Sequence, residues 1–322
     1  MGMEAVVGVT SRLILLFGGL LAMPVLYAGI LAPDRVDAMY HSYSGGGVDV
    51  TGPSYLIRKG DGKRFSGTVN YYVDSISSAS VDVVTQGSAY SEQRTQWSGS
   101  VDYLHADTTM TAAYANSSES DYKSDTYAFS ISQSMFGDLT TVALGYSYGA
   151  DTITSTVDDQ FRDNADHKNF HVSLTQIVTK NWLLSLNYDL ITDSGYLQSP
   201  YRSILVLNDP DNLSAGTNFN TAERYPSTRT SNAASASMLY YLPYRASLEL
   251  SYRFFNDDWG ISANTAKIGY THPLWDRWIV DAGFRYYEQS SADFYADLFD
   301  RPDQQNFVAR DKELSNFQNY TV

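Results

Sequence analysis

The chain contains no cysteine. Disulfides, thiolate metal sites and thiol nucleophiles are excluded together by that absence. Basic residues are scarce, with 22 Lys and Arg against 36 Asp and Glu and a net charge of -14. An acidic chain without a basic patch is a poor ligand for nucleic acid. Beyond residue 28 no apolar run is long enough for a helix to cross a membrane. The five histidines, His41, His105, His167, His171 and His272, match no zinc spacing. Gly45 to Gly47 lacks the Lys-Ser or Lys-Thr that follows in a phosphate-binding loop. No cofactor is expected.

What the chain does have is tyrosine, 26 copies of it, and a repeated unit of about ten alternating residues. Leu184, Leu186, Tyr188 and Leu190 face one way in one such unit, and Ser185, Asn187 and Asp189 face the other. A tilted strand of about 9 to 11 residues crosses the hydrocarbon layer with one face in lipid and one in the lumen. Tyrosine suits the headgroup belts, because its ring is apolar and its hydroxyl is wet. The mean hydropathy of -0.29 is no objection, since half of each barrel strand faces a polar interior. The fold expected is an all-β antiparallel transmembrane barrel of about 12 strands, with short periplasmic turns and long extracellular loops.

Three regions are expected. Residues 1–28 read as a signal peptide, with Arg12 before an apolar core from Leu13 to Ala28. Residues 29–63 look irregular and read as a periplasmic segment that could bind a periplasmic partner. Residues 64–322 would form the barrel in the bacterial outer membrane, in contact with its lipids and lipopolysaccharide and inserted by the barrel assembly machinery. The first strand would run from Arg64 to Asp74 and the twelfth from near Glu313. Ending at Val322 without a terminal aromatic, that strand reads as short or as cut off by a fragment boundary, leaving unpaired backbone around Arg64 to Thr68.

Turn parity checks the strands independently of propensity, because a two-residue turn makes paired positions sum to an odd number and a three-residue turn to an even one. The Ala106-Asp107 turn pairs Tyr103 with Met110, and the Gly137-Asp138 turn pairs Ile131 with Leu144. A turn at 178 to 180 pairs Leu174 with Leu184, the Pro243-Tyr244-Arg245 turn pairs Tyr240 with Leu248, and a turn around Leu274 pairs Tyr270 with Trp278. All these residues fall on the outer face. Trp97, Phe129, Leu186, Leu250, Ile268 and Phe284 are expected to point outward with them.

The runs Tyr40-His41-Ser42-Tyr43, Asn70-Tyr71-Tyr72-Val73-Asp74, Met135-Phe136-Gly137-Asp138-Leu139-Thr140-Thr141, Gly195-Tyr196-Leu197 with Pro200-Tyr201-Arg202, and Tyr241-Leu242-Pro243-Tyr244-Arg245 resemble a bacterial family, domain of unknown function 3570. The resemblance extends from residue 33 to the end. It implies an outer-membrane barrel of Gram-negative bacteria with no established activity.

Among residues that could carry chemistry, the interior charges stand first. Parity sets Glu249 opposite Lys267 and Lys267 opposite Asp281, with Arg253 and Arg285 one step away on the lumen face. Such a charge ladder can brace the wall or select ions at a constriction. His171 and Ser173 share an inner face, but residues two apart on a strand lie nearly 7 Å apart, and no third orienting group is identifiable. Asp151, Asp158, Asp159, Asp163 and Asp166 crowd one expected loop, and Asp209, Asp211 and Asn212 another; neither has EF-hand spacing. Three functions compete. A narrow pore for small solutes or ions leads, a plugged docking barrel that binds partner proteins follows, and an outer-membrane hydrolase comes last. The protein is expected not to be an enzyme.

Overall fold

A computed structural model describes residues 31–45, 48–78, 90–207, 218–275, 277–301 and 303–322. The expected signal peptide and the Asp209, Asp211 and Asn212 cluster lie outside the described residues. Among the described residues sixteen strands form: β1 (Arg35–Gly45), β2 (Val48–Gly60), β3 (Phe65–Ser78), β4 (Tyr90–His105), β5 (Thr108–Ser118), β6 (Tyr122–Met135), β7 (Thr140–Thr154), β8 (Arg162–Thr179), β9 (Trp182–Gly195), β10 (Ser203–Leu207), β11 (Asn218–Ala222), β12 (Thr228–Tyr241), β13 (Ser247–Asp257), β14 (Ser262–Leu274), β15 (Trp278–Gln289) and β16 (Phe317–Thr321). Fourteen make one antiparallel sheet in chain order, while β10 and β11 pair separately. Among the described residues no helix is long and apolar enough to cross a membrane.

The strand count corrects the expected twelve. Two of the additional strands are β1 and β2, built from the residues read as an irregular periplasmic segment. Gly52-Pro53 and the triple glycine mimic loop sequence. In the fold Gly52 sits where a Cβ would meet the Val73 carbonyl oxygen at 1.7 Å, and the β2–β3 ladder skips Gly52 and Pro53, as the missing proline N–H requires. With Gly60 opposite Ser66 and Arg58 opposite Thr68, β3 is paired on both sides and the expected open backbone near Arg64 is absent. The other two are the β10–β11 hairpin, inside a stretch read as loop. No pairing joins β1 to β16 among the described residues.

The connections that follow β2, β4, β6, β8, β12 and β14 lie at one end of the sheet. Three of the five parity hairpins have the expected register: Tyr103 faces Met110, Ile131 faces Leu144 and Tyr240 faces Leu248. Two are displaced by even numbers. At β8–β9 the turn has two residues, with Thr179 opposite Trp182, and a bulge between Ile177 and Thr179 restores even parity, so Leu174 faces Leu186. At β14–β15 Leu274 faces Trp278 and Tyr270 faces Ala282. An even shift leaves every side chain on its expected face. Left-handed residues close the turns, Ala106 at φ 51 and Arg245 at φ 67 among them.

At the opposite end the long connections fold together. Leu197 and Tyr225 from the β9–β12 connection, Trp259 and Ile261 from β13–β14, and Phe294, Ala309 and Leu314 from β15–β16 bury one apolar cluster with Ile153 of β7 and Ala165 of β8. A second cluster joins Ile204 and Val206 of β10 to Phe299 and Val308. The expected long extracellular loops thus form a packed cap.

Candidate functional site: the inner face and its cap

The two faces of the sheet differ in chemistry. Trp97, Phe129, Leu144, Leu186, Leu250, Ile268 and Phe284 are all exposed on the outer face, between 38% for Leu250 and 51% for Phe129. They form no sealed core. A row of outer tyrosines marks where this apolar surface ends toward the cap. The hydroxyls of Tyr114, Tyr148, Tyr188, Tyr252 and Tyr286 donate to Asp125, Asp166, Asn232, Asn264 and Glu288, at 2.5 to 2.7 Å. Each acceptor lies one step nearer the cap on the same outer face. The rings thus sit in the apolar zone and the hydroxyls at its polar margin, the division favoured at a membrane interface.

The inner face is polar and uneven. On β6 and β7 it carries small buried groups, Ser130, Ser132, Ser134 and Ser147. Just below the cap a charge ladder crosses the wall: Asp151 of β7 meets His167 Nε2 at 2.9 Å, His167 Nδ1 meets Asp193 of β9 at 2.7 Å, Asp193 stands opposite Arg229 of β12, and Arg229 binds Asp257 at 2.6 Å. Tyr122 of β6 donates to Asp151 at the far end. A third group of inner side chains links His41 to Asp74 at 2.8 Å and Asp74 to Arg94, with His41 stacked on Tyr72 at 4.7 Å. Neither set was singled out from sequence. The sequence alternation stops short of the cap on β7 and β8, with Asp151, Asp163, Asp166 and His167 in an expected loop; these residues belong to the two strands, and Asp151 and His167 lie on the inner face.

The five residues of the sequence-based ladder do share the inner face, but in another register. Lys267 lies opposite Ser251 and Arg285, not opposite Glu249 and Asp281. The displaced turns at both ends of β14 account for the difference. Glu249 still reaches Lys267 diagonally, at 2.8 and 3.0 Å, because Gly269 opposite it has no side chain. Asp281 faces Thr271 and lines, with Glu249 and Lys267, a shallow depression of about 260 Å³. Arg253 faces Thr265.

His171 has an orienting carboxylate that parity had not supplied: its Nδ1 lies 2.8 Å from Asp189 on β9. Ser173 is not joined to it by any hydrogen bond among the described residues, and its cross-strand neighbours are Ala143 and Asn187. Among the described residues, no three acidic or histidine side chains converge to hold a metal ion.

In the cap, outside the apolar zone, Arg202 binds Asp311 at 2.6 Å, and Glu223 accepts from Tyr225 at 2.8 Å and from the Arg310 N–H at 2.8 Å. Burial pushes the Glu223 carboxyl above its ordinary range despite these donors. At the cap surface, Lys312 and then Tyr295 hold the Asp297 carboxyl below its usual range through hydrogen bonds.

The profile of the family described as "Protein of unknown function (DUF3570)" matches residues 85–171 and 155–322, so the chain belongs to that family. No curated protein matches the sequence. Solved structures similar to it are outer-membrane barrel proteins. The siderophore receptor PirA from Acinetobacter baumannii is 12% identical at a TM-score of 0.46, over 78% of this chain and 42% of that one. The ferric-catecholate import receptor Fiu from K12 E. coli is 11% identical at 0.47, over 81% and 55%. The NanC porin is 13% identical at 0.34, over 74% of this chain and 100% of that one. The chain spans about half the length of the receptors it matches. At such scores the likeness bears on neither solute nor mechanism.

Proposed function

We propose that the protein is an outer-membrane β-barrel forming a narrow pore for small solutes or ions. The observation that carries this reading is the separation of faces. Large apolar side chains are exposed all along the outer side, bounded by tyrosines bonded at the polar margin, while charged groups occupy the inner side. In water, exposed apolar surface of this extent would drive association; in a bilayer it is the contact surface, and outer-membrane lipid and lipopolysaccharide are its partners, delivered by the barrel assembly machinery. A polar inner wall supplies the lining of an aqueous path. The signal-peptide pattern of residues 1–28 agrees with export.

The folded cap favours a second reading, a docking barrel whose end is closed and whose cap surface binds partners. Planar-bilayer recording of the purified protein separates the two. Discrete conductance steps are expected for the pore, and a silent bilayer at high protein insertion supports docking.

A further inference from the structure

We propose that the inner face of β13 to β15 is a binding site for a small organic anion, with Arg253 and Arg285 as its charged ligands. The inference rests on the pore reading and names the solute class. Four cations face inward on β12 to β15: Arg229, Arg253, Lys267 and Arg285. Two are neutralised, Arg229 by Asp257 at 2.6 Å and Lys267 by Glu249 at 2.8 Å. Arg253 and Arg285 have no carboxylate within ion-pair distance among the described residues.

What they have is aromatic support. The Arg253 guanidinium lies 5.9 Å from the Phe255 ring and that of Arg285 lies 5.4 Å from the Tyr287 ring. Each arginine therefore rests on the ring two positions further along its own strand, the same arrangement on two strands. Tyr287 faces Thr265, which faces Arg253. The Phe255 ring that supports Arg253 also lies 5.9 Å from the Arg229 guanidinium, so these cations share one part of the wall. Asp281, the remaining inner carboxylate on β15, is four residues from Arg285, about 13 Å along the strand.

A guanidinium supported by a ring and not by a carboxylate keeps N–H donors for a solute, and that fork matches a carboxylate or a phosphate. An arginine needed only to brace the wall would sit beside a carboxylate, as Arg229 does. Both side chains are exposed to the inner space, where a solute can reach them. The chemistry shared by the possible ligands is a compact anionic group, either a carboxylate or a phosphate.

Isothermal titration calorimetry on the full chain folded in detergent tests this with glucuronate, glucose 6-phosphate and neutral glucose. The wild type is expected to bind at least one anion and not glucose, and the tighter anion tells carboxylate from phosphate. The double variant Arg253→Gln/Arg285→Gln should lose at least tenfold in affinity. Arg253→Lys/Arg285→Lys, which keeps the charge and loses the fork, should fall between. Lys168→Met, which removes a cation from the outer face, should change affinity less than about twofold. Heat-modifiable gel mobility reports that each variant is folded. Absence of heat with either anion, or equal affinity of the wild type and the glutamine variant, overturns the site. Because calorimetry needs no ion flow, anion binding by a protein silent in bilayers leaves the site standing and removes the pore. Conductance without anion binding does the reverse.

Discussion

Two stretches of the inner face handle charge in opposite ways. On β7 to β9 and across to β13, Asp151, His167, Asp193, Arg229 and Asp257 alternate in sign, and the two members that begin the row are almost sealed, Asp151 at 5% and His167 at 3% exposure. On β13 to β15, Arg253 and Arg285 stand open, held by rings and not by carboxylates. Burying an unmatched charge costs several kcal/mol, on the order of 3–5 when one partner of a buried pair is removed. The sealed row must therefore be matched, and it braces the strands that carry the cap. The open cations incur no such cost, so their lack of counter-ions is tolerated and leaves them available to a solute. Position on the same face is not enough to assign a role; the counter-ion decides it.

The largest expected effect breaks the braced side from above. Trp259 is 5% exposed, stacks edge-on against Tyr225 and Phe294 and lies 4.6 Å from the Arg229 guanidinium. Trp259→Ala should cost the cap about 3–5 kcal/mol, as expected for truncating a buried aromatic. Hydrogen exchange should then rise across 257–261 and 290–316 while the amides of β4 to β7 stay protected; uniform loss would show that cap and sheet are one cooperative unit.

Next in size is a paired comparison of two ion pairs. Asp257 has a fully buried side chain and also accepts from the Trp259 and Ile261 N–H groups, so Asp257→Asn should cost about 3 kcal/mol. Glu249 and Lys267 are each about two-fifths exposed, and Glu249→Gln should cost under about 1 kcal/mol. Denaturant midpoints in the same detergent measure both. Equal losses would erase the distinction between braced and open walls.

The smallest effect is in pH. Glu223 titrates above its ordinary 4.5 when folded because it is buried, so the folded cap holds that proton more tightly than the unfolded one. Its contribution is complete below pH 4.5 and fades as pH rises through the raised value. Protease resistance of the cap should accordingly decline from mildly acid toward neutral pH, and Glu223→Gln should flatten the decline. Asp297 acts with the opposite sign, since its lowered value makes its contribution fade only below about 3.8, outside that window. A decline unchanged in Glu223→Gln would assign the pH response to another group.

Face assignment was readable in the residues because alternation has period two, and all three register errors, at β8–β9, β13–β14 and β14–β15, were even. The bulge at Ile177 to Thr179 that moved Leu174 from Leu184 to Leu186 carries no residue signature, so the cross-strand partners of Lys267, displaced likewise at the turns of β14, could not be read either. Strands β1 and β2 were hidden by Gly52-Pro53, which reads as a loop and is in fact a close approach of two backbones. The cap core was hidden for a different reason. Leu197, Tyr225, Trp259, Phe294 and Leu314 come from three connections and show no periodicity that a local pattern could reveal.

The separation of lipid-facing and lumen-facing sides is tested most directly by single spin labels on a chain that has no cysteine of its own. Ala143→Cys and Leu144→Cys on β7, with Ala128→Cys and Phe129→Cys on β6, would be reconstituted in bilayers and read with oxygen and a water-soluble nickel chelate. Labels at 144 and 129 should be relaxed by oxygen and shielded from the chelate, and those at 143 and 128 should not share the oxygen enhancement. Chelate access at 144 and 129 equal to that of a label in water would contradict a membrane-spanning sheet.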